Sequence, residues 1–163
     1  MEILIIYSTR YGKTRLTAET MGRLLIGKYG HSVTVSSYKL DRQLKNTIDD
    51  FDFVIAGTSI TAGMWKSGVK RFLKKYAKGK RLAVFVSAGG TLEMVNAGKL
   101  SKTEAVARAV HKYIQPKMEK YGLRPEKVGA FGGQYGEGEK MKFNNWSRED
   151  IEKWIDELQL LLN

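Results

Sequence analysis

Ile3-Leu4-Ile5-Ile6-Tyr7-Ser8-Thr9-Arg10-Tyr11-Gly12-Lys13-Thr14 begins as an apolar run and breaks into hydroxyls, one glycine and the start of a helical pattern. The apolar stretch Ile3–Tyr7 is the mark of a strand buried on both faces. A strand that opens through Ser8, Thr9 and Gly12 onto a helix is the layout of an anion cradle. Unpaired backbone N–H groups and the positive end of the helix dipole converge there, and the hydroxyls add donors. The loop therefore reads as a phosphate site.

Working outward, strand-like runs alternate with amphipathic helical patterns. Thr14–Tyr29 reads as a helix with Leu16, Met21, Leu24 and Leu25 toward one face and Gly30 as its stop. Val33–Ser37 alternates like a shorter, more exposed strand, whereas Phe51–Gly57 and Leu82–Val86 are nearly continuous apolar runs of central parallel strands. Val69–Tyr76 and Glu104–Tyr121 read as helices, and Pro116 predicts a kink or early stop in the second. Lys127–Gly132 supplies a fifth strand. Ser147–Leu162 closes the chain as a helix with Ser147 as N-cap, Asp150 in the first turn and Trp146 stapling the entry. Strands separated by helices predict a doubly wound, five-stranded parallel α/β sheet in three αβα layers. Two segments, Gly89–Thr103 and Gln134–Trp146, are too long for tight turns and read as loops.

The 163 residues fit one domain spanning positions 1–163, with 42% hydrophobic and 28% charged residues as in ordinary globular chains. Neither a signal peptide nor an apolar stretch of bilayer length is evident. The chain has no cysteine, which removes disulfides, thiolate metal sites and thiol nucleophiles, and fits a cytoplasmic protein. The unusual bulk property is a net charge of +11. Such an excess favours acidic partners or anionic surfaces.

In a doubly wound sheet, ligands bind at the carboxyl ends of the strands. Here the third strand ends in Gly57-Thr58-Ser59-Ile60-Thr61-Ala62-Gly63-Met64-Trp65, the fourth in Ser87-Ala88-Gly89-Gly90-Thr91 and the fifth in Gly132-Gly133-Gln134-Tyr135-Gly136. These ends are rich in Gly, Ser and Thr and nearly free of acid, base or histidine. They suit backbone and hydroxyl contacts to a flat cofactor with polar edges, and they lack the groups for acid–base catalysis. His31 and His111 stand apart from them, and no grouping of metal ligands is evident. A P-loop would need glycine where Tyr7 stands, and Asp52 lies at the wrong end of its strand for a magnesium ligand. A dinucleotide fingerprint fails because Gly12 is alone, and a phosphoryl-accepting receiver fails because hydroxyls occupy the carboxylate positions.

What survives is a monophosphate held by hydroxyls and amides, and at this point the chain resembles the flavodoxin family over nearly its whole length. The resemblance is carried by Tyr7-Ser8-Thr9-Arg10-Tyr11-Gly12-Lys13-Thr14 and by Ala56-Gly57-Thr58-Ser59-Ile60 with Gly63 and Trp65, with support from the Gly-rich end of the fourth strand. It implies a non-covalently bound FMN and a flavodoxin-like fold. Ser8, Thr9, Arg10, Tyr11, Gly12, Lys13 and Thr14 would form the phosphate loop, and Thr58 and Ser59 would contact ribityl or phosphate. Ile60, Thr61, Ala62, Gly63 and Trp65, with Ser87, Ala88, Gly89, Gly90 and Thr91, would enclose the ring. Trp65 is expected to stack on the flavin, and Tyr135 to cover its other edge.

Within the family, Ser8-Thr9-Arg10-x-Gly12-x-Thr14-Arg15, Gly57-x-Ser59-Ile60, Gly63 and Ser67 resemble the branch containing menaquinone-dependent protoporphyrinogen oxidases, as does the basic composition. Arg10, Tyr11 and Lys13 stand where short electron-carrier flavodoxins usually place small polar residues. The long insert of those oxidases before the last helix is missing; only Gln134–Trp146 stands there. The implied function is electron transport by a redox flavoprotein that exchanges electrons with a protein partner or quinone. Protoporphyrinogen dehydrogenation in heme biosynthesis is the alternative reading, and a basic α/β binding module without flavin is a third. The run Lys66, Lys70, Arg71, Lys74, Lys75, Lys78, Lys80 and Arg81 follows the ring loop. It would suit an acidic partner or peripheral contact with an anionic membrane; a solvated helix face is the plainer reading. No nucleic-acid motif accompanies it.

Overall fold

The computed structural model describes residues 1–163. Strands β1 (Glu2–Ser8), β2 (Ser32–Ser37), β3 (Phe53–Thr61), β5 (Leu82–Ser87) and β6 (Lys127–Phe131) form a parallel sheet in the order β2-β1-β3-β5-β6. This is the 2-1-3-4-5 order of a doubly wound fold, in which the chain reverses direction between β1 and β3. The register sets Tyr7 opposite Gly57 and Ser8 opposite Thr58, with Ser59 opposite Ser87, so the polar strand ends lie side by side at one edge.

The period-2 alternation of each strand divides the core in two. Ile3, Ile5, Phe53, Ile55, Ala83 and Phe85 face one layer, formed by α1 (Lys13–Gly27) and α7 (Arg148–Leu162). Leu4, Ile6, Val54, Ala56, Val84 and Val86 face the other, formed by α3 (Ser67–Tyr76), α5 (Lys102–Ala109) and α6 (Gln115–Tyr121). Burial of both faces explains why these strands read as continuous apolar runs.

Four features depart from the sequence reading. The third strand starts at Phe53 and runs on to Thr61, turning through Ala62 and Gly63 into the short antiparallel strand β4 (Met64–Trp65). Both turn residues have positive φ, 49° at Ala62 and 75° at Gly63, as a two-residue hairpin turn requires. The stretch Gly89–Thr103 is not a loop: α4 (Gly89–Asn96) opens it, and Ser101 with Glu104 forms a capping box for α5. A short helix, α2 (Arg42–Asn46), capped by Asp41, precedes β3. Finally, the helix around Pro116 widens into a π turn over Val110–Ile114 before α6. Proline has no N–H to donate and its ring crowds the carbonyl four residues back, so the preceding turn opens.

The segment after β6 forms a small hairpin of β7 (Gln134–Tyr135) and β8 (Phe143–Asn144). Asn145 ties it down. Its amide donates to Gly89 O and Glu93 Oε2 at 2.9 and 2.8 Å, and its Oδ1 accepts from Gly133 N at 2.9 Å. The Phe143 ring lies against Gly89 so closely that a Cβ there would sit 2.6 Å from it.

Candidate cofactor site

The carboxyl ends of β1, β3, β5 and β6 surround a cavity of about 510 Å³, within the usual range for a small-molecule or cofactor site. At its first corner, Gly12 (φ 88°) serves as the N-cap of α1, and Gly12 N donates to Thr9 Oγ1 at 3.0 Å. No side chain caps α1 and no carboxylate lies in its first turn. The N–H groups of Lys13, Thr14 and Arg15 have no intrahelical acceptor. Those donors, with Lys13 beside them, form an anion cradle at the start of a 15-residue helix.

Beneath the cradle the hydroxyls pair across strands. Ser8 and Thr58 share a hydrogen bond of 2.8 Å, and Thr14 Oγ1 donates to Ser87 Oγ at 2.9 Å. Ser8, Thr14, Thr58 and Ser87 are all buried, so these bonds lock β1, β3, β5 and α1 together beneath the cavity. Ser59 Oγ, by contrast, is the one buried side-chain polar atom without a partner, and Ser59 lines the cavity. An unpaired buried hydroxyl costs about 1–3 kcal/mol. A ligand with a polar edge would satisfy it.

The cavity collects sixteen of the twenty residues expected from sequence: Thr9, Arg10, Tyr11, Lys13, Thr14, Ser59, Ile60, Thr61, Ala62, Gly63, Ser87, Ala88, Gly89, Gly90, Thr91 and Tyr135. Four others lie outside its wall. Gly12 shapes the turn, and Ser8 and Thr58 are spent on each other below, which corrects the expectation that Thr58 reaches ribityl or phosphate. Trp65 is the larger correction. Only 7% exposed, it packs in the core beneath the β3–β4 hairpin, and its indole N–H donates to Tyr113 O at 2.7 Å. The hairpin sets Trp65 directly opposite Ile60 and on the same face, where both pack against one core cluster and the indole lies below the cavity wall, which departs from the expected ring stacking. Tyr113, on the π turn, is in the wall instead.

Sequence reading missed Met94, Tyr113, Gly133, Gln134, Lys142 and Phe143. The second wall is aromatic: Tyr135 stacks on Phe143 at 6.0 Å and meets Tyr11 edge-on at 6.2 Å. Arg10 lies over the Tyr11 ring and Lys142 over the Tyr135 ring. The lining thus carries three cations, Arg10, Lys13 and Lys142, and no carboxylate. It can hold an anion at one end and a flat apolar ring with polar edges at the other.

These features define an α/β protein that seats a phosphate-bearing planar cofactor at the topological switch of a doubly wound sheet. The family model of the flavodoxin domain matches residues 4–156. The chain belongs to the flavodoxin domain family, whose cofactor is FMN and whose function is redox electron transfer.

Solved structures share the fold. A short-chain flavodoxin associated with a non-canonical PDU bacterial microcompartment is 16% identical, with a TM-score of 0.62 over 100% of this chain and 99% of that one. Oxidised flavodoxin 1 from Bacillus cereus is 15% identical, with a TM-score of 0.59 over 99% and 97% of the two chains. The rubredoxin oxygen:oxidoreductase of Desulfovibrio gigas matches at 15% identity and a TM-score of 0.55, over 99% of this chain and 37% of that protein. None of the curated proteins matches the sequence. No helix is long and apolar enough to cross a membrane.

Proposed function

We propose that the chain is a single cytoplasmic flavin-binding unit that passes electrons between FMN and a redox protein or quinone. The observation that supports this most strongly is the joining of an uncapped helix start to an unpaired Ser59 hydroxyl in one cavity. FMN would set its phosphate at the N–H groups of Lys13, Thr14 and Arg15, with Lys13 adding a charge-assisted contact. Its ring would lie between the β3–β4 hairpin, α4 and the Tyr135–Phe143 pair. When bound, FMN supplies one- and two-electron exchange; the protein supplies binding, orientation and electrostatics. Ser59 Oγ can donate to a ring or ribityl acceptor, and the aromatic wall shields one side from water.

A second reading, oxidation of a porphyrinogen, draws support from Arg10, Lys13 and Lys142 around the cavity, which suit an organic substrate bearing carboxylates. The absorption spectrum of the purified protein tests the flavin, and a colourless protein that takes up no FMN rejects both readings. Turnover of protoporphyrinogen with menaquinone separates them: oxidation of the porphyrinogen supports the second, and rapid flavin reoxidation by quinone without it supports the first.

A further inference from the structure

We infer that the lysine-lined face shared by α3 and α6 docks an acidic redox protein beside the cavity. The inference rests on the flavin-site reading for the partner's purpose, but not for its binding. Lys66, Lys70 and Lys74 follow one another at intervals of four, a single stripe along α3. Lys117 and Lys120 stand on α6, and Lys74 joins the two helices, its ammonium 5.2 Å from the centre of the Tyr121 ring. The stripe gathered from sequence is therefore half of a two-helix surface.

The cations of this face have no counter-ions. All seven ion pairs of the molecule lie elsewhere: Arg15–Glu19, Lys28–Asp156, Lys80–Asp49, Arg81–Glu126, Lys102–Asp150, Lys127–Glu157 and Arg148–Glu152. Glu119, the one carboxylate on α6, pairs with none of the lysines. Lys117 is held below the usual lysine range by burial and then by Lys70, Lys120 and Lys74, so these charges crowd one another. Crowded like charges destabilise the free protein, and an acidic partner reverses that cost.

The face is continuous with the cavity. Tyr113, in the cavity wall, lies one helical turn before Lys117. The cavity-lining turn of Thr61, Ala62 and Gly63 leads to Met64, 67% exposed, and then to Lys66. An exposed apolar residue flanked by cations at the mouth of a cofactor site has the make-up of a protein contact with a polar rim. A membrane surface would want several apolar side chains to insert. Met64 is the only large exposed hydrophobic on these elements, which favours a protein.

The test uses plastocyanin as an acidic one-electron protein, and pairs K70E/K117E with R23E/K153E, an equal charge change on the α1 and α7 side. Plastocyanin binding is measured by titration with flavin-free and FMN-loaded full-length protein. Electron transfer from the reduced, loaded protein is followed by stopped flow. The expected result is binding and transfer that fall steeply with salt and drop about tenfold or more in K70E/K117E. R23E/K153E should lose less than about threefold, because its charges lie away from the docking face. If circular dichroism shows K70E/K117E misfolded, K74E alone carries the comparison. Equal losses in the two double variants, or no salt dependence, would overturn the proposal. So would co-sedimentation with phosphatidylserine vesicles that is lost in K70E/K117E while plastocyanin transfer is unchanged. Failure of FMN uptake would count against the flavin reading alone, since the flavin-free titration still reports docking.

Discussion

Replacing Trp65 with Phe tests the most specific departure of the structure from the sequence. Trp65 is 7% exposed and bonds Tyr113 O at 2.7 Å. Phenylalanine keeps an aromatic ring but removes the donor, a net loss of about 1 kcal/mol. Roughly 40 Å³ of lost indole volume, at ~24 cal/mol per Å³, adds about 1 kcal/mol. The sum, about 2 kcal/mol, lowers Tm by about 4–8 °C for a domain of this size. Urea unfolding and thermal melting of the flavin-free protein measure this, and a parallel FMN titration measures binding. Because Trp65 lies outside the cavity, FMN affinity should fall only as far as Tyr113 shifts, less than about tenfold, or 1.4 kcal/mol. Unfolding within about 0.5 kcal/mol of the parent, which is the range of surface substitutions, together with a hundredfold loss of FMN affinity, would refute this placement and restore Trp65 to the ring.

The cavity lining predicts an unusual redox poise. Three cations and no carboxylate surround the cavity, so adding the second electron is less disfavoured than in an acidic site. One to two kcal/mol of favourable interaction, at an effective dielectric near 20, raises the second one-electron potential by roughly 40–85 mV. Potentiometric titration of the parent against K13Q/K142Q reads this, and unchanged potentials in the variant would show that uncharged ring contacts dominate. On the far side of the molecule, Arg81 bonds both oxygens of Glu126, at 2.9 and 2.8 Å, and holds its carboxyl below the usual range. A depressed carboxylate contributes stability above its unfolded pKa and loses it as pH falls through the folded value. The parent should therefore exceed E126Q by up to about 1 kcal/mol at neutral pH, a partly exposed pair. That margin should close as pH drops below about 4; a constant margin in urea melts would reject the linkage.

The legible parts of this molecule are those written by local pattern. Continuous apolar runs marked β1, β3 and β5, and the hydroxyl-rich turn into α1 marked the cradle, because burial on both sheet faces and an uncapped helix start each leave a short-range signature. Trp65 was misread because its direction depends on the Ala62–Gly63 turn, which extends β3 into a hairpin and sets its alternation. The helix α4 was hidden behind two glycines, poor helix formers held in place here by Asn145 and Phe143 from a distant hairpin. The Ser101-x-x-Glu104 pattern was available as a capping box for α5. Met94, Tyr113, Lys142 and Phe143 had no such signal: two sit on helix positions whose facing is set by tertiary packing, and two at a strand of two residues.

The central claim is that the Ser8–Thr14 turn binds the phosphate of FMN. Fluorescence titration of the flavin-free protein with FMN and with riboflavin tests it most directly, alongside the variant K13A. The account predicts tight FMN binding, riboflavin weaker by at least a hundredfold, about 2.7 kcal/mol, and K13A losing about 1.5–3 kcal/mol of FMN affinity, the range for a hydrogen bond to a charged group, with little change for riboflavin. Equal affinity for FMN and riboflavin, in the parent and in K13A alike, would contradict it.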